Sequence, residues 1–242
     1  MPGHISDVTT LAGDWPWEDI LDNELRSLLA KRQTRPLLGK HPVIIAVDLY
    51  DLVYDGGPKP VVDLMEKFPA SCGEYAWAAL PATIKLFETA RALNVPIVHV
   101  NYDNRPETDP ANIHPTNRKR RQANLALYKI KGELAPVEGE LVIFKKRASA
   151  FFGTPLCAFL NELQADSLLF VGETTSGCLR SSVVEGWSYG YPCLVVADGV
   201  YDRFLLNHKV SLLDLHLKYA TIVDLAFACK AMRAAKALVE AA

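Results

Sequence analysis

Three polar side chains in this sequence follow short apolar runs of the kind that form buried strands. Asp48 follows VIIAV, Lys145 follows LVIF, and Cys178 lies a few residues beyond LLFVG, where a helix is expected to begin. A thiol can attack a carbonyl carbon if a carboxylate accepts its proton and an ammonium group balances the charge. The three residues are therefore a candidate nucleophile, Cys178, a candidate base, Asp48, and a compensating cation, Lys145.

Each of these residues also has an ordinary structural interpretation. An Asp after a strand is commonly a turn or cap residue, a Lys there is commonly a solvated edge charge, and a lone Cys is commonly a small core residue. The combination favours chemistry at Cys178, because a helix amino terminus and a nearby ammonium both lower the pKa of a thiol. No histidine lies in the flanking turn, so Asp48 has to serve as the base.

Six short runs rich in β-branched residues are candidate strands for positioning these side chains. They are apolar on both faces, which is typical of a parallel sheet covered by helices on each side. Because ligands bind beyond the carboxyl ends of the strands in such sheets, polar residues at those ends are the first candidates for a site. The runs span residues 43–49, 96–101, 141–144, 167–172, 192–198 and 220–224.

Helical periodicity separates these strands. Leu80, Ile84 and Phe87 recur at helical spacing, and further helical stretches are expected elsewhere. These stretches follow Thr154, Cys178, His208 and Asp224. The alternation predicts an α/β fold with a doubly wound, six-stranded, mostly parallel sheet and helices on both faces, a Rossmann-like three-layer sandwich.

The chain is expected to form a single domain over residues 1–242. Half of these residues are hydrophobic, which is enough for a sizeable core, and no repeat or linker interrupts the pattern. The core spans about residues 40–235, and residues 1–39 form a helical extension. Its amphipathic part, residues 17–31, is expected to pack outside the sheet or on a neighbouring subunit.

Charge and composition favour a small-molecule substrate over a macromolecular partner. The formal net charge of -2 gives no long-range field for a nucleic acid or an anionic membrane. The basic run at residues 117–122 lacks interleaved aromatic residues and is interpreted as a solvated face or a subunit contact. No apolar run reaches roughly 18 residues, and no signal-peptide pattern begins the chain, so we expect a cytoplasmic protein without membrane contact.

Three separated motifs resemble the cysteine-hydrolase branch of the isochorismatase-like superfamily, in order and in spacing, over roughly residues 40–235. They are VIIAVDLYDLVYDG, LVIFKKRASAFFGTPL and VGETTSGCLRSSVVEGWSYGYPCLVVADGVYDR. Members of this branch hydrolyse carbon–nitrogen bonds of amides and ureido compounds. The resemblance therefore implies a hydrolase that releases ammonia from a small amide or ureido acid and that needs no cofactor.

The resemblance also assigns roles to the three polar residues of the opening argument. It implies that Cys178 is the nucleophile and that Asp48 is the catalytic acid and base. In the family a Lys lies four residues before a Ser-Ala-Phe element, and in this chain that residue is Lys145, with Lys146 the weaker candidate.

Further site features are implied in the same way. The backbone N–H groups of Thr174 and Cys178 are expected to bind the oxyanion, and the peptide bond between Glu173 and Thr174 is expected to be cis. Arg203 is expected to clamp a substrate carboxylate, for which its planar guanidinium is suited, and Thr175 is expected to contact the substrate. For Arg203 a solvated position after a strand is the alternative interpretation.

Two departures from the family pattern concern the pocket. Glu173 is larger and more acidic than the small residue common at its position, and a carboxylate near the thiol would raise the thiol's pKa. In the first motif, DLYDLVY replaces the more usual Asp-Met-Gln-Asn-Asp-Phe pattern. Asp48 itself is retained, while the pocket wall beside it differs.

The residues of this chain argue against two other activities of the superfamily. Isochorismatases proper cleave a vinyl ether without a thiol, so Cys178 argues against that reaction. Nicotinamidases carry Asp-x-His and a further metal-binding His, whereas His99 and His114 have no ligand-like spacing, and the five cysteines contain no CxxC pair. We expect no metal.

Within the branch, the motifs are most similar to those of the subfamilies that act on N-carbamoylsarcosine and on maleamate. Both similarities include TTSGC, the Asp202–Arg203 pair and KYATIVD. They imply a homotetramer whose active sites lie near subunit contacts. A binding protein that keeps this fold without activity is the alternative of a different class, because a fold alone does not establish function.

Overall fold

A single sheet of six parallel strands runs through the described part of the chain. The structure is a computed structural model and describes residues 15–31, 38–103 and 124–241. The strands are β1 (Pro42–Val47), β2 (Ile97–Tyr102), β3 (Leu141–Lys145), β4 (Ser167–Gly172), β5 (Cys193–Val200) and β6 (Thr221–Val223). Their spatial order is β3-β2-β1-β4-β5-β6. The predicted α/β sheet is confirmed, and every neighbouring pair in it is parallel.

Helices cover both faces of this sheet. Within the described residues they are α1 (Asn23–Lys31), α2 (Val61–Leu64), α3 (Gly73–Leu93), α4 (Leu156–Glu162), α5 (Cys178–Ser188), α6 (Leu205–Lys218) and α7 (Leu225–Glu240). α3 and α7 pack on one face, and α4, α5 and α6 pack on the other. The helices expected from periodicity are confirmed.

One helix begins earlier than the sequence suggested. α6 starts at Leu205, whereas the prediction placed its start after His208. Phe204, Leu205 and Leu206 at this point are exposed although they are apolar. An apolar run on the solvent side hides the amphipathic pattern on which the prediction depended.

Alternate side chains of the central strands enter two separate apolar cores. In β1, Ile44 and Ala46 face α3 and α7, whereas Val43, Ile45 and Val47 face the helices on the opposite side. β4 alternates in the same way, and all six of its residues are buried. A strand that is apolar on both faces is thus buried on both, and each large apolar side chain stabilises the fold by about 1.5 to 3 kcal/mol.

The segment before β1 packs on α6, outside the sheet. Trp17 is 1% exposed, stacks on Trp15 with ring centroids 4.9 Å apart, and lies against His216 of α6. A short 3₁₀ turn and α1 follow, joined by an ion pair between Glu18 and Arg26. This packing places Trp17 outside the sheet, which is one of the two expected positions of the segment.

The strand order places a topological switch point between β1 and β4. From β1 the chain adds β2 and β3 on one side, and then crosses to add β4, β5 and β6 on the other. Connections beyond the carboxyl ends of β1 and β4 therefore run in opposite directions and leave a crevice between them. This crevice is where an α/β sheet is expected to bind a ligand.

Two expectations about surfaces can be compared with the structure only in part. No helix among residues 15–31, 38–103 and 124–241 is long and apolar enough to cross a membrane. The basic run at residues 117–122 lies outside the described residues, so its predicted role stays a prediction.

Candidate active site

Asp48, Lys145 and Cys178 meet at the switch point. Asp48 directly follows β1, Lys145 ends β3, and Cys178 is the first residue of α5. All three line one cavity of about 230 Å³ beyond the carboxyl ends of the strands. The sheet thus brings together residues that are far apart in the sequence.

A buried ion pair joins two of these residues. The Nζ atom of Lys145 lies 2.7 Å from Oδ2 of Asp48, and both side chains are 1% exposed. Among the described residues, neither group has any other hydrogen-bond partner. Asp48 is therefore no surface turn residue and Lys145 no solvated edge charge. Both are held inside the protein with capacity left to bind further atoms.

The backbone at Asp48 aims its side chain into the cavity. Its φ of 54° lies in the left-handed region, which Asp tolerates better than most residues, and turns the chain sharply out of the strand. Its N–H group still donates a hydrogen bond to the carbonyl of Val100 at 2.8 Å. The carboxylate is consequently fixed to the rigid end of β1.

The surroundings of Lys145 favour its charged form. Burial by itself would lower the pKa of this ammonium, but the Asp48 carboxylate and the Cys178 sulfur raise it well above its ordinary value. The opposite charge at 2.7 Å outweighs the cost of desolvation. Lys145 therefore supplies a permanent positive charge next to Asp48 and the thiol.

The pKa of the Cys178 thiol is raised, so the expectation of a lowered pKa is wrong. Burial is the main cause, and the Asp48 and Glu173 carboxylates add to it, while the Lys145 ammonium acts in the opposite direction. The expected effect of Glu173 on the thiol is thus present. The raised pKa favours the neutral form of the Cys178 thiol beside Asp48.

Two residues of the turn at the start of α5, Thr174 and Cys178, line the cavity. The peptide bond between Glu173 and Thr174 is cis, as the resemblance implies. The N–H groups of Thr175 and Gly177 donate to the carbonyls of Tyr201 and Thr174, whereas those of Thr174 and Cys178 make no backbone hydrogen bond within the described chain. The latter two are free to bind an oxyanion.

A side chain at position 177 of this turn would require Thr174 to move. A Cβ atom added to Gly177 would lie 2.5 Å from Oγ1 of Thr174, far inside van der Waals contact. The turn is also held from outside, because Asp202 Oδ2 accepts hydrogen bonds from the N–H and hydroxyl groups of Ser176 at 2.8 and 2.6 Å. Asp202 therefore fixes the segment that leads to Cys178.

Of the two expected substrate-binding residues, one lines the cavity and the other does not. Thr175 is fully buried, and its hydroxyl lies 2.8 Å from Nδ1 of His208, outside the lining of the cavity. Arg203 does line the cavity, with 12% of its side chain exposed. The alternative interpretation of Arg203 as a solvated residue is wrong, because β5 and the segment around Ala70 enclose it.

Arg203 already has partners of its own. Its Nε and Nη2 atoms donate to the carbonyl of Ala70 at 3.1 and 2.5 Å. Nη2 also lies 3.5 Å from Oε2 of Glu173. Burial raises the pKa of Glu173 to about 7, an effect that the Arg203 charge opposes and the Asp48 and Asp202 charges increase. The guanidinium therefore faces an ionisable group across a few ångströms.

Several lining residues were missed by sequence reasoning. Tyr50, Tyr102, Tyr128, Leu52 and Arg147 form walls of the cavity. Tyr50 could have been predicted to line the cavity, because it lies two residues after Asp48. Tyr128 had none, since it approaches Tyr50 only through the packing of a distant 3₁₀ turn, with ring centroids 5.1 Å apart.

The described residues contain no cluster suited to a metal. No three His, Cys, Asp or Glu side chains in that part of the chain lie close enough together to hold an ion. His99 is buried 2.9 Å from Glu140, away from the cavity lining, and His114 lies outside the described residues.

Comparison with known proteins identifies similar sequences and folds. The chain matches the family model of the isochorismatase domain over residues 61–227. Maleamate amidohydrolase from Pseudomonas putida is 39% identical over 90 residues, which are 37% of this chain and 42% of that enzyme. N-carbamoylsarcosine amidase from an Arthrobacter species is 28% identical over 193 residues, 76% of this chain and 68% of that enzyme.

Solved structures agree in fold. A cysteine hydrolase from Pseudomonas syringae superposes with a TM-score of 0.69 at 15% identity, over 85% of this chain and 99% of that one. At this identity the likeness concerns the fold alone. Asp48 lies before the stretch matched by the family model, whereas Lys145 and Cys178 lie within it.

Proposed function

Because the chain belongs to the isochorismatase family, we propose that it is a cysteine-dependent hydrolase that cleaves a carbon–nitrogen bond of a small amide or ureido acid and releases ammonia. The observation that carries this proposal is the buried contact between Asp48 and Lys145 in the cavity that holds Cys178. A buried ion pair beside a buried thiol is costly to maintain, and it supplies the base and the cation that thiol catalysis requires.

The first half of the reaction forms a bond to sulfur. Asp48 accepts the proton of the neutral Cys178 thiol while the sulfur attacks the substrate carbonyl carbon. The carbonyl oxygen becomes an oxyanion, which the N–H groups of Thr174 and Cys178 bind. Lys145 remains protonated throughout and offsets the negative charge that passes between sulfur and carboxylate.

The second half releases the products. Asp48 returns its proton to the departing nitrogen, and the carbon–nitrogen bond breaks. Ammonia is released, and the rest of the substrate stays bound to Cys178 as a thioester. Asp48 then takes a proton from water, whose oxygen attacks the same carbonyl carbon, and the carbon–sulfur bond breaks. The acid or carbamate departs, and the thiol recovers its proton.

The size and lining of the cavity support a small substrate that carries a carboxylate. Its volume is about 230 Å³, and the guanidinium of Arg203 lies in its wall. We propose that Arg203 binds this carboxylate, with Thr175 acting on the substrate only through the turn that it supports. The two relatives named above act on an N-carbamoyl acid and on maleamate, and we propose these two classes as the substrate candidates, in that order.

We also propose that the chain forms a homo-oligomer. The exposed apolar residues Phe204, Leu206 and Val210 near the start of α6 support association through that face. Light scattering after size-exclusion chromatography tests this, with a tetramer expected, and a monomer at micromolar concentration contradicts it.

Ammonia release over a substrate panel tests the proposed reaction. The panel contains N-carbamoyl amino acids, maleamate, nicotinamide and simple amides. Cys178→Ala should abolish release, whereas the matched variant Cys157→Ala, at a half-buried cysteine outside the cavity lining, should leave it unchanged. Substantial ammonia release by Cys178→Ala would show that the nucleophile is assigned to the wrong residue.

A further inference from the structure

Glu173 is a carboxyl group in the wall of the catalytic cavity that the proposed reaction does not use. It is 4% exposed and lies directly before the oxyanion-binding turn. Its Oε1 accepts a hydrogen bond from the Tyr50 hydroxyl at 3.2 Å, and Oε2 accepts one from the Cys72 thiol at 3.6 Å. These contacts hold the carboxyl group in one position.

That position faces the guanidinium that the proposed function assigns to substrate. Arg203 Nη2 lies 3.5 Å from Glu173 Oε2, longer than a direct hydrogen bond but well inside the range of strong charge interaction. The hydrogen bonds of the Arg203 guanidinium in the described chain go to the uncharged carbonyl of Ala70. Glu173 is therefore the group that neutralises Arg203 before a substrate arrives.

The surroundings of Glu173 decide when it is charged. Burial is the main cause that raises its pKa to about 7, and the Asp48 and Asp202 carboxylates also raise it. The Arg203 charge and the Tyr50 hydrogen bond lower it. The pKa values of Tyr50, Cys72, Tyr54, Tyr201, Tyr128, Cys178 and Arg203, which face the same region, are all raised. These neighbours therefore keep their charge state near neutral pH while Glu173 changes its own.

We propose that Glu173 is a specificity-determining residue that controls access of a substrate carboxylate to Arg203. In its ionised form Glu173 pairs with the Arg203 guanidinium and repels a second carboxylate in the same small cavity. In its neutral form it leaves Arg203 unpaired, and a carboxylate substrate binds. This inference rests on the proposed role of Arg203 in substrate binding.

The sign of the pH effect follows directly. Below pH 7 Glu173 is mostly neutral, so acid substrates are favoured over uncharged ones. Above pH 7 the carboxylate dominates, and the preference is lost. For a group with its midpoint near 7, the neutral fraction falls about tenfold between pH 6 and pH 8.

The test compares two ureido compounds of similar size. N-carbamoylglycine carries a carboxylate, and 2-hydroxyethylurea replaces it with a hydroxyl group. The ratio of their kcat/KM values cancels pH effects on the bond-breaking chemistry, because that chemistry is the same for both compounds. In the wild type this ratio should fall about tenfold from pH 6 to pH 8.

Glu173→Gln should remove this dependence. Glutamine keeps an oxygen that accepts the Tyr50 hydrogen bond but carries no charge, so the ratio should stay at or above the wild-type value at pH 6. The control Glu138→Gln, at an exposed glutamate, should retain the wild-type slope. A wild-type ratio that does not change with pH, or a Glu173→Gln ratio that keeps the slope, overturns the inference.

A binding measurement separates this inference from the proposed reaction. Calorimetry with N-carbamoylglycine uses Cys178→Ala, which cannot hydrolyse it, with and without Glu173→Gln. The dissociation constant should rise about tenfold between pH 6 and pH 8 with Glu173 present and stay constant with Gln. If neither ureido compound is hydrolysed but this pattern is found, the proposed ureido substrate class is wrong and the role of Glu173 stands. A constant affinity in both backgrounds overturns that role.

Discussion

Replacing Asp48 with Asn separates the stabilising role of the buried ion pair from its catalytic role. The two charges lie 2.7 Å apart and both side chains are 1% exposed. At an effective dielectric constant of about 20 their attraction is about 6 kcal/mol, before the cost of desolvation is subtracted. Breaking a buried pair by removing one partner lowers the free energy of unfolding by about 3 to 5 kcal/mol, because the other charge stays buried without compensation.

Asp48→Asn should therefore unfold in urea with a free energy lower by that amount, measured by fluorescence at pH 7. Ammonia release should fall by at least about 10²- to 10⁴-fold, the usual contribution of a general base. The loss in activity must be measured well below the urea midpoint, where the variant is folded.

A double variant provides the matched control. Asp48→Asn/Lys145→Met removes the unpaired ammonium and fills its volume with an apolar chain of similar length. Replacing a buried pair by uncharged groups is commonly neutral or stabilising, so most of the lost stability should return. Activity should not return, because the base is still absent.

Two results would refute this reasoning. If the double variant is as unstable as Asp48→Asn, the instability does not come from an unpaired Lys145. If Asp48→Asn releases ammonia at close to the wild-type rate, another group accepts the thiol proton.

Three further predictions concern the same cavity. Arg203→Ala should lower kcat/KM for an N-carbamoyl amino acid about 10- to 150-fold at pH 6, with partial rescue by Lys and little change for an uncharged amide; equal losses for both substrates would make Arg203 structural. Exhaustive chelation should leave ammonia release unchanged, whereas a loss restored by zinc or manganese contradicts a metal-free site. Alkylation of Cys178 by iodoacetamide, followed by mass spectrometry, should be slow at pH 7 and still accelerate above pH 9, because its pKa is raised; rapid reaction at pH 7 contradicts the neutral resting thiol.

The sheet could be predicted from the sequence because its strands are apolar on both faces. All six residues of β1 and of β4 are buried, as the apolar character of both faces predicts. The order of the strands could not be predicted in this way. Lys145 reaches Asp48 across β2, and nothing in LVIFK indicates how many strands lie between them.

β3 shows why the environment of Lys145 was beyond pattern analysis. This strand lies at the edge of the sheet, and its apolar Val142 and Phe144 are exposed while Ile143 and Lys145 are buried. The charged residue thus points inward where the usual pattern would direct it to solvent. Its position after a strand made Lys145 a candidate, and the resemblance to a family assigned it to a site, but neither indicated that it is buried.

The pKa of the Cys178 thiol was also beyond pattern analysis. A helix amino terminus and an ammonium lower the pKa of an exposed cysteine, and both features were readable from the sequence. Burial was not readable, because the cavity at Cys178 is lined by residues from distant parts of the chain, among them Tyr50, Tyr102 and Tyr128. Burial reverses the sign of the shift.

The adjacent residues Asp202 and Arg203 connect the two halves of the site. Asp202 accepts hydrogen bonds from Ser176 and so fixes the turn that carries Cys178, while its other oxygen accepts from the N–H group of Arg203. The guanidinium of Arg203 then enters the cavity beside Glu173. One rigid dipeptide after β5 thus sets the distance between the nucleophile and the cation proposed to bind substrate. Asp202 and Arg203 are adjacent, so the positions of Cys178 and of the guanidinium depend on the same stretch of backbone. A substrate whose carboxylate binds Arg203, as proposed, must be long enough to place its scissile carbonyl at Cys178. The distance between the two groups would therefore select for substrate length.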